Sequence, residues 1–376
     1  MILRLCVVLV ALMFTACSSW FSGKPVREPA QLTEFSPTAH FDVRWHESVG
    51  EAGNSVLQPV VTLNAVYVAN AKGEVLRLQR TDGKQVWRAD SGFHISGGVG
   101  AGAGLVLVGG DKGDLAAFAE DGKLRWKAKV SSEVLSAPLI AEGIVIVRTG
   151  DGRIVGLNAE DGTRLWLYER STPALVVRNH AGVALRRGIV FAGFAAGKMV
   201  ALNAGSGTLV WEATVSQPRG NTELERISDI TSLPVLDDEQ ICAVAFQGKL
   251  ACFDLTQGNL LWSRVLSSEQ GMALSGRYLY VTDADGTLLA LDKSSGSVLW
   301  KNNKLSARQV SAPLVVGGYV VAGDFEGYVH GLARDDGRFG ARIATEGSLI
   351  AAAPVALDDG LLVQTRSGGL YALALH

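Results

Sequence analysis

Seven times between residues 73 and 341 a glycine heads an apolar run, and 13 or 14 residues later stands a position that is tryptophan in six of the seven copies. The pairs are Gly73 with Trp87, Gly113 with Trp126, Gly152 with Trp166, Gly197 with Trp211, Gly248 with Trp262, Gly286 with Trp300, and Gly327 with Ala341. An eighth Gly-led strand, GLYALAL from Gly369, closes the chain with no tryptophan after it, whereas FDVRW at 41–45 supplies Trp45 with no Gly-led strand before it. Periods near 40 residues that each hold several short strands mark propeller blades. Joining the two orphan ends completes an eighth blade and closes the ring, which protects the strand edges that an open array would leave unpaired. The fold class is therefore all-β, an eight-bladed β-propeller of four-stranded antiparallel blades over residues 41–376, closed by the N-terminal strand completing the C-terminal blade.

Within a repeat, the first strand follows a Ser-x-Pro element, as in SAPLI from Ser136 and SAPLV from Ser311. The second is VYVA at 66–69 or IVIV at 144–147, the third follows the Gly, and the fourth carries the Trp after an Asp-Gly or Ser-Gly turn. Asp-Gly suits a tight hairpin because glycine tolerates positive φ. One tryptophan per blade is expected to cover the seam between neighbouring sheets, its N–H finding a nearby carbonyl. Ala341 is expected to leave its own seam thinner.

The first sixteen residues, MILRLCVVLVALMFTA, combine Arg4, an apolar run and small residues before Cys17, and read as an export signal too short to remain as a membrane span. Phe14-Thr15-Ala16-Cys17 resembles a bacterial lipoprotein box in which Cys17 becomes the acylated first residue, although Phe14 stands where Leu is usual. Ser18 in place of Asp resembles the signal for onward passage to the outer membrane. Residues 17–40, polar and broken by Pro25, Pro29 and Pro37, read as a lipidated tether.

The repeat opens in only one kind of place. From each Trp position to the next Gly the spacing is between 24 and 28 residues, except 31 after Trp166 and 37 after Trp211. Both insertions fall in the connection from the outer strand of one blade to the inner strand of the next, so they emerge as neighbours on one face. The first holds LYERSTPALVVR, Leu167 to Arg178, and the second SQPRGNTELERISDI, Ser216 to Ile230. Apolar Leu175, Val176 and Val177 stand beside Arg178, and mixed charges in Glu223, Glu225, Arg226 and Asp229 surround them in the second loop. An apolar centre with a polar rim is a common plan for a protein interface, and loops on a rigid scaffold commonly carry function. Simple solvated decoration is the competing reading.

Other chemistries find no support in the residues. The formal charge of −2 with no basic block excludes a nucleic-acid footprint. His40, His46, His94, His180, His330 and His376 have no zinc-site spacing, no nucleophile elbow or phosphate loop occurs, and the recurring Asp-Gly pairs sit at turns. No catalytic, metal or cofactor site is expected. Cys242 and Cys252, in ICAVAFQGKLACF, fall on two strands expected to pair: they either face each other as a disulfide, as an oxidising periplasm permits, or stay as two buried thiols if the register slips.

The repeats and their Gly-to-Trp element resemble the pyrroloquinoline-quinone-type propeller superfamily. Within it, the lipoprotein box, the eight blades and the ALVVR and NTELERISDI runs resemble the assembly-factor lipoproteins of the outer-membrane β-barrel assembly (BAM) machinery. That resemblance covers nearly the whole chain. It implies a non-catalytic scaffold, lipid-anchored at the periplasmic face of the outer membrane, that supports folding and insertion of outer-membrane proteins. The implied partners are the POTRA domains of BamA, the other lipoproteins of the complex, and unfolded outer-membrane protein chains. The implied contact residues are Leu175, Val177 and Arg178 in the first loop and Asp229 and Thr231 in the second, with Thr231 standing where that family more often has an acid. Asp229 would accept from a partner donor or hold Arg178 in place. The quinone-dependent dehydrogenases of the superfamily share the blades, but they carry a vicinal cysteine pair and a calcium-binding acid set, and this chain has no Cys-Cys pair. A generic interaction propeller is the remaining alternative.

Overall fold

The four apolar runs of each repeat are too short to bury themselves alone, so they pair as a small twisted sheet and cover both faces by stacking on the next repeat. A computed structural model describes residues 27–358 and 360–376 and arranges thirty-two strands as eight four-stranded antiparallel sheets. The expected export signal, Cys17 and the tether as far as residue 26 lie outside the described residues. Blade 1 consists of Val60–Val61, Val66–Ala69, Glu74–Leu78 and Gln85–Asp90, and the order repeats to blade 7, whose outer strand is Phe339–Ala344. Several first strands of successive blades touch one another, which places them innermost around the central channel.

Blade 8 is built from both ends of the chain. Val355–Leu357, Gly360–Gln364 and Gly369–Leu375 take the inner three positions, and Phe41–Ser48 the outer one. Phe41 lies opposite Leu375 and Ser48 opposite Gly369, and His40 and His376 exchange backbone hydrogen bonds of 2.9 and 3.0 Å. The ring is thus closed by hydrogen bonds between the first and last strands.

The tryptophans act between blades, as expected. Each of the seven at Trp45, Trp87, Trp126, Trp166, Trp211, Trp262 and Trp300 donates its indole N–H to a carbonyl of the following blade, at 2.8–3.3 Å. Each ring also lies flat against the turn glycine of that blade: a Cβ at Gly207 would stand 2.4 Å from Trp166, and one at Gly258 2.7 Å from Trp211. The glycine is required twice over, for its positive φ and for the absence of a side chain beneath the ring. The seam at Ala341 is not thinner. Blade 8 has a chain break where the other blades have that turn, and Phe41 fills the space, packing in one buried cluster with Ala39 and Ala341. The amides of Thr38 and Ala39 both bond to Gly340 O, which holds the filling segment in place.

Cys242 and Cys252 are direct cross-strand partners in blade 5, and their sulfurs are bonded as a disulfide. The register therefore decides between the two alternatives in favour of the bridge.

Residues 30–40 run along blade 7. Ala30 N donates to Ser306 O, Arg308 Nη1 to Ala30 O, and Arg342 Nη1 to Thr33 O, while the Arg342 guanidinium lies 5.0 Å from the Phe35 ring centre. Beneath them is a buried charged network. Arg308 bonds Asp324 at 2.7 Å and also Glu326, His330 Nε2 bonds Asp324 at 3.0 Å, and Arg342 Nε donates to His330 Nδ1 at 3.2 Å. Because Nδ1 must accept, Nε2 carries the proton and the imidazole is neutral. Burial pushes the His330 pKa down, the Asp324 carboxylate opposes this, and the cations Arg342 and Arg308 push it further down. Burial works against ionisation of Asp324, but bonds from His330 and Arg308 outweigh it and keep the carboxyl below its usual range.

A depressed histidine pKa fixes the sign of a pH effect. Above about pH 6.5 the imidazole is neutral in both folded and unfolded chains and its contribution is fully present. Below that value the unfolded chain takes up a proton that the folded one refuses, so stability falls with pH. Denaturant midpoints measured from pH 8 to pH 5 should decline below about 6.5, and His330→Gln should flatten that decline. His180, also pushed down chiefly by burial, contributes in the same direction, so a residual slope belongs to it. An unchanged slope in the His330 variant would rule out the blade 7 network as its source.

Candidate partner-docking site

The two insertions meet on the face where second strands turn into third strands. The first is somewhat shorter than the spacing suggests, because Leu167, Tyr168 and Glu169 still belong to the outer strand of blade 3, Arg164–Glu169. The free connection runs from Arg170 to Gly182, ahead of the inner strand of blade 4 at Val183. The second connection joins Thr214 to Val235 and divides into two parts. Residues 217–226 form an exposed tip, folded on itself by Glu225, whose carboxylate accepts from the amides of Asn221 and Thr222 at 2.7 and 3.2 Å. Those backbone bonds lower the Glu225 pKa. Residues 228–232 form a buried stem.

This division separates the implied contact residues. Leu175 is 45% exposed and Val176 41% exposed, and Arg178 projects beside them. Asp229 is 1% exposed and Thr231 5%. Asp229 is turned inward: Oδ2 accepts from Val177 N at 2.8 Å, Oδ1 from Ala196 N at 3.0 Å, and its backbone carbonyl from Phe246 N at 2.8 Å. Ala196 sits at φ 56° in the turn Ala195–Gly197, a conformation that costs a residue with a Cβ and that the carboxylate helps to hold. The buried carboxylate thereby ties the first loop to a turn of blade 4, and the backbone carbonyl of the same residue adds a turn of blade 5. Neither role expected for Asp229 describes these bonds, because it meets no solvent-facing donor and does not hold Arg178. The residue that holds Arg178 is Glu133, in the connection between blades 2 and 3, through Nε at 3.1 and 3.2 Å and Nη2 at 2.9 Å.

Thr231 lies at the mouth of the central channel, and its hydroxyl has no protein partner, like those of Ser228 and Ser232 in the same stem. Val177, Arg178 and Asn179 form a wall between that mouth, a hollow of about 400 Å³, and a smaller pocket of about 160 Å³ between the two loops. The wall is braced from behind: Asn179 bonds Val177 O at 3.0 Å and Ala181 N at 3.1 Å, and His180 Nδ1 meets Leu135 O at 3.1 Å.

The structure therefore sets an exposed apolar step, Leu175 and Val176, beside a fixed cation, Arg178, and leaves a second leucine, Leu224, exposed at the tip of the longer loop. Residue chemistry had not pointed to Glu133 or Leu224. Glu133 stands in an uninserted connection, and the stacking of consecutive blades sets it opposite Arg178. Among the described residues no three His, Cys, Asp or Glu side chains converge to hold a metal ion. Among the described residues the one cysteine pair bridges two strands in the body of blade 5.

Over residues 71–302 the chain matches the family described as outer membrane protein assembly factor BamB. It is 43% identical to the outer membrane protein assembly factor BamB of Burkholderia pseudomallei, across 96% of this chain and 94% of that one. The crystal structure of BamB from Moraxella catarrhalis matches with a TM-score of 0.82 at 27% identity, covering 89% of this chain and 99% of that one. The quinohemoprotein alcohol dehydrogenase of Comamonas testosteroni, at 15% identity and a TM-score of 0.75, covers 89% of this chain and 76% of that one and shares the fold.

Proposed function

The chain belongs to the BamB family of outer membrane protein assembly factors, and on that premise we propose that it docks through its two inserted loops on the POTRA domains of BamA. An assembly factor, not a quinone-dependent enzyme, is what the family description names. In this reading Cys17 carries the acyl anchor and holds the propeller at the periplasmic face of the outer membrane. The propeller then orients the POTRA domains, beside the other lipoproteins of the complex, while unfolded outer-membrane chains are delivered.

The observation that carries the docking surface is the exposure of Leu175 and Val176 directly before backbone held at Val177 by Asp229 and a side chain, Arg178, held by Glu133. Loops normally lose entropy on binding; one already held by Asp229 and Glu133 has less to lose. Leu175 and Val176 supply apolar area at the centre, and Arg178 supplies charge-assisted hydrogen bonds at the rim. Asp229 supports this surface from beneath.

The test is association with a purified POTRA fragment of BamA. Leu175→Asp places a charge in the apolar centre at an exposed position, so the fold should survive and affinity should fall by about 30-fold or more, as for a central anchor residue. Unchanged affinity, with circular dichroism and melting temperature intact, would remove the loops from the interface.

A further inference from the structure

Arg148 ends the second strand of blade 3, Ile144–Arg148, and lines the small pocket between the loops. Its guanidinium lies 5.3 Å from the Phe194 ring centre, and Nη1 donates to Ala181 O at 3.1 Å. Those are its only close polar and ring contacts among the described residues. Both acids that line the pocket are already engaged: Asp229 by the amides of Val177 and Ala196, and Glu133 by Arg178. A cation with most of its donors unused thus faces a hollow of about 160 Å³, which exceeds the roughly 30 Å³ share of one water and leaves room for a carboxyl group with its methylene.

We propose that this pocket is a carboxylate-binding subsite, in which Arg148 receives an Asp or Glu side chain of the docked protein partner. The proposal rests on the docking reading above and names the chemistry of one contact within it. A guanidinium presents a planar fork that matches a carboxylate with two parallel hydrogen bonds, and here stacking on Phe194 fixes the plane of the fork. Burial draws the pKa of Arg148 down to about 10 and the charge of Asp229, on the same pocket but bonded to backbone amides, only partly opposes this, so the group stays cationic at neutral pH but poorly compensated. An incoming carboxylate supplies the missing counter-charge. Position favours a protein side chain as the source, because Val176, Val177 and Arg178 form one wall of the pocket. A chain resting on Leu175 and Val176 lies beside the opening and can send a side chain down it.

The experiment compares wild type, Arg148→Lys and Arg148→Gln for calorimetric binding to the POTRA fragment of BamA, and in parallel titrates each with sodium acetate while following the amide resonances of Gly150 and Val177. Arg148→Gln should lose at least about tenfold in affinity, as a truncated buried charge pair does, and Arg148→Lys should fall between, keeping the charge without the fork. Acetate should give a saturable shift in wild type that Arg148→Gln lacks. The melting temperature of Arg148→Gln should be unchanged or raised, since the free chain gives the cation no carboxylate partner. Equal affinity of all three proteins for the fragment would overturn the proposal. If acetate nevertheless saturates the wild-type pocket, its ligand is a free carboxylate and not a partner side chain. A melting temperature several degrees lower together with lost binding would also overturn it, by showing a structural arginine. Failure of wild type itself to bind the fragment would instead refute the docking reading, while the acetate titration would still decide the chemistry of Arg148.

Discussion

Trp166→Ala should lower the stability of the propeller by about 3–5 kcal/mol, the range for removing a large aromatic from a packed interior. Three losses coincide at this site. The ring belongs to a buried cluster that joins Ile146 and Ile154 of blade 3 to Val190, Val200 and Leu202 of blade 4, so its removal opens a cavity along the seam. Its N–H bond to Ala204 O, at 3.0 Å, disappears and leaves a covered carbonyl unpaired. Gly207, in the outer turn of blade 4, loses the ring that lies on it. Guanidinium denaturation read by fluorescence and circular dichroism measures the total. Gly207→Ala supplies an independent check, because its Cβ would stand 2.4 Å from Trp166 in a residue held at φ 69°. Once the indole is gone the clash is gone, so the double variant should be clearly less destabilised than the sum of the singles. Strict additivity, or a loss below about 1 kcal/mol for Trp166→Ala, would show that this seam is not held by the ring on the glycine.

That coupling marks how far the sequence could be read. The spacing from Gly to Trp gave the number of blades, the strand order and the closing strand, because a strand length and a turn chemistry are local properties that repeat in register. The Cys242–Cys252 bridge followed from the same locality once the register was known, since both residues belong to one hairpin. What pairs across a seam was not visible in advance. Trp166 meets Gly207 in a different repeat, and nothing in either repeat names the other. The thin seam expected at Ala341 failed for a related reason: Phe41 reaches it from the opposite end of the chain.

The site was legible to a similar degree. Counting located both insertions, and their composition picked out Leu175, Val176, Val177 and Arg178, of which Val177 is only partly exposed. The direction in which Asp229 points could not be read, because an acid in a polar loop looks the same whether it faces solvent or backbone amides. The pairing of Arg178 with Glu133 spans 45 residues and joins two consecutive connections between blades, and Arg148 sits at the end of an ordinary apolar strand. Both depend on how blade 3 stacks against its neighbours, which the local sequence does not encode.

Asp229→Asn should release the first loop while leaving the blades folded, and the near-identity of the two side chains makes the result diagnostic. A carboxylate offers two accepting oxygens, and here each receives a backbone amide, Val177 N and Ala196 N. An amide side chain offers one accepting oxygen and turns an NH₂ donor toward the other N–H. One buried amide is left facing a donor, at a cost of about 1–3 kcal/mol and more where the lost acceptor was charged. Bonding to Val177 would be kept only by giving up Ala196, whose left-handed φ then loses its support, and the reverse choice frees the loop. Hydrogen exchange at Val177 and Ala196 should therefore quicken at one or both amides, with protection in the distant strands of blades 1 and 8 unchanged. Affinity for the POTRA fragment should fall even though Asp229 is buried, because Leu175 and Val176 would have to be ordered on binding instead of before it. Wild-type exchange at both amides in the Asn variant would show that the carboxylate does not hold the loop. Faster exchange with undiminished affinity would separate the two claims, leaving Asp229 as a brace of the fold whose rigidity the partner does not use.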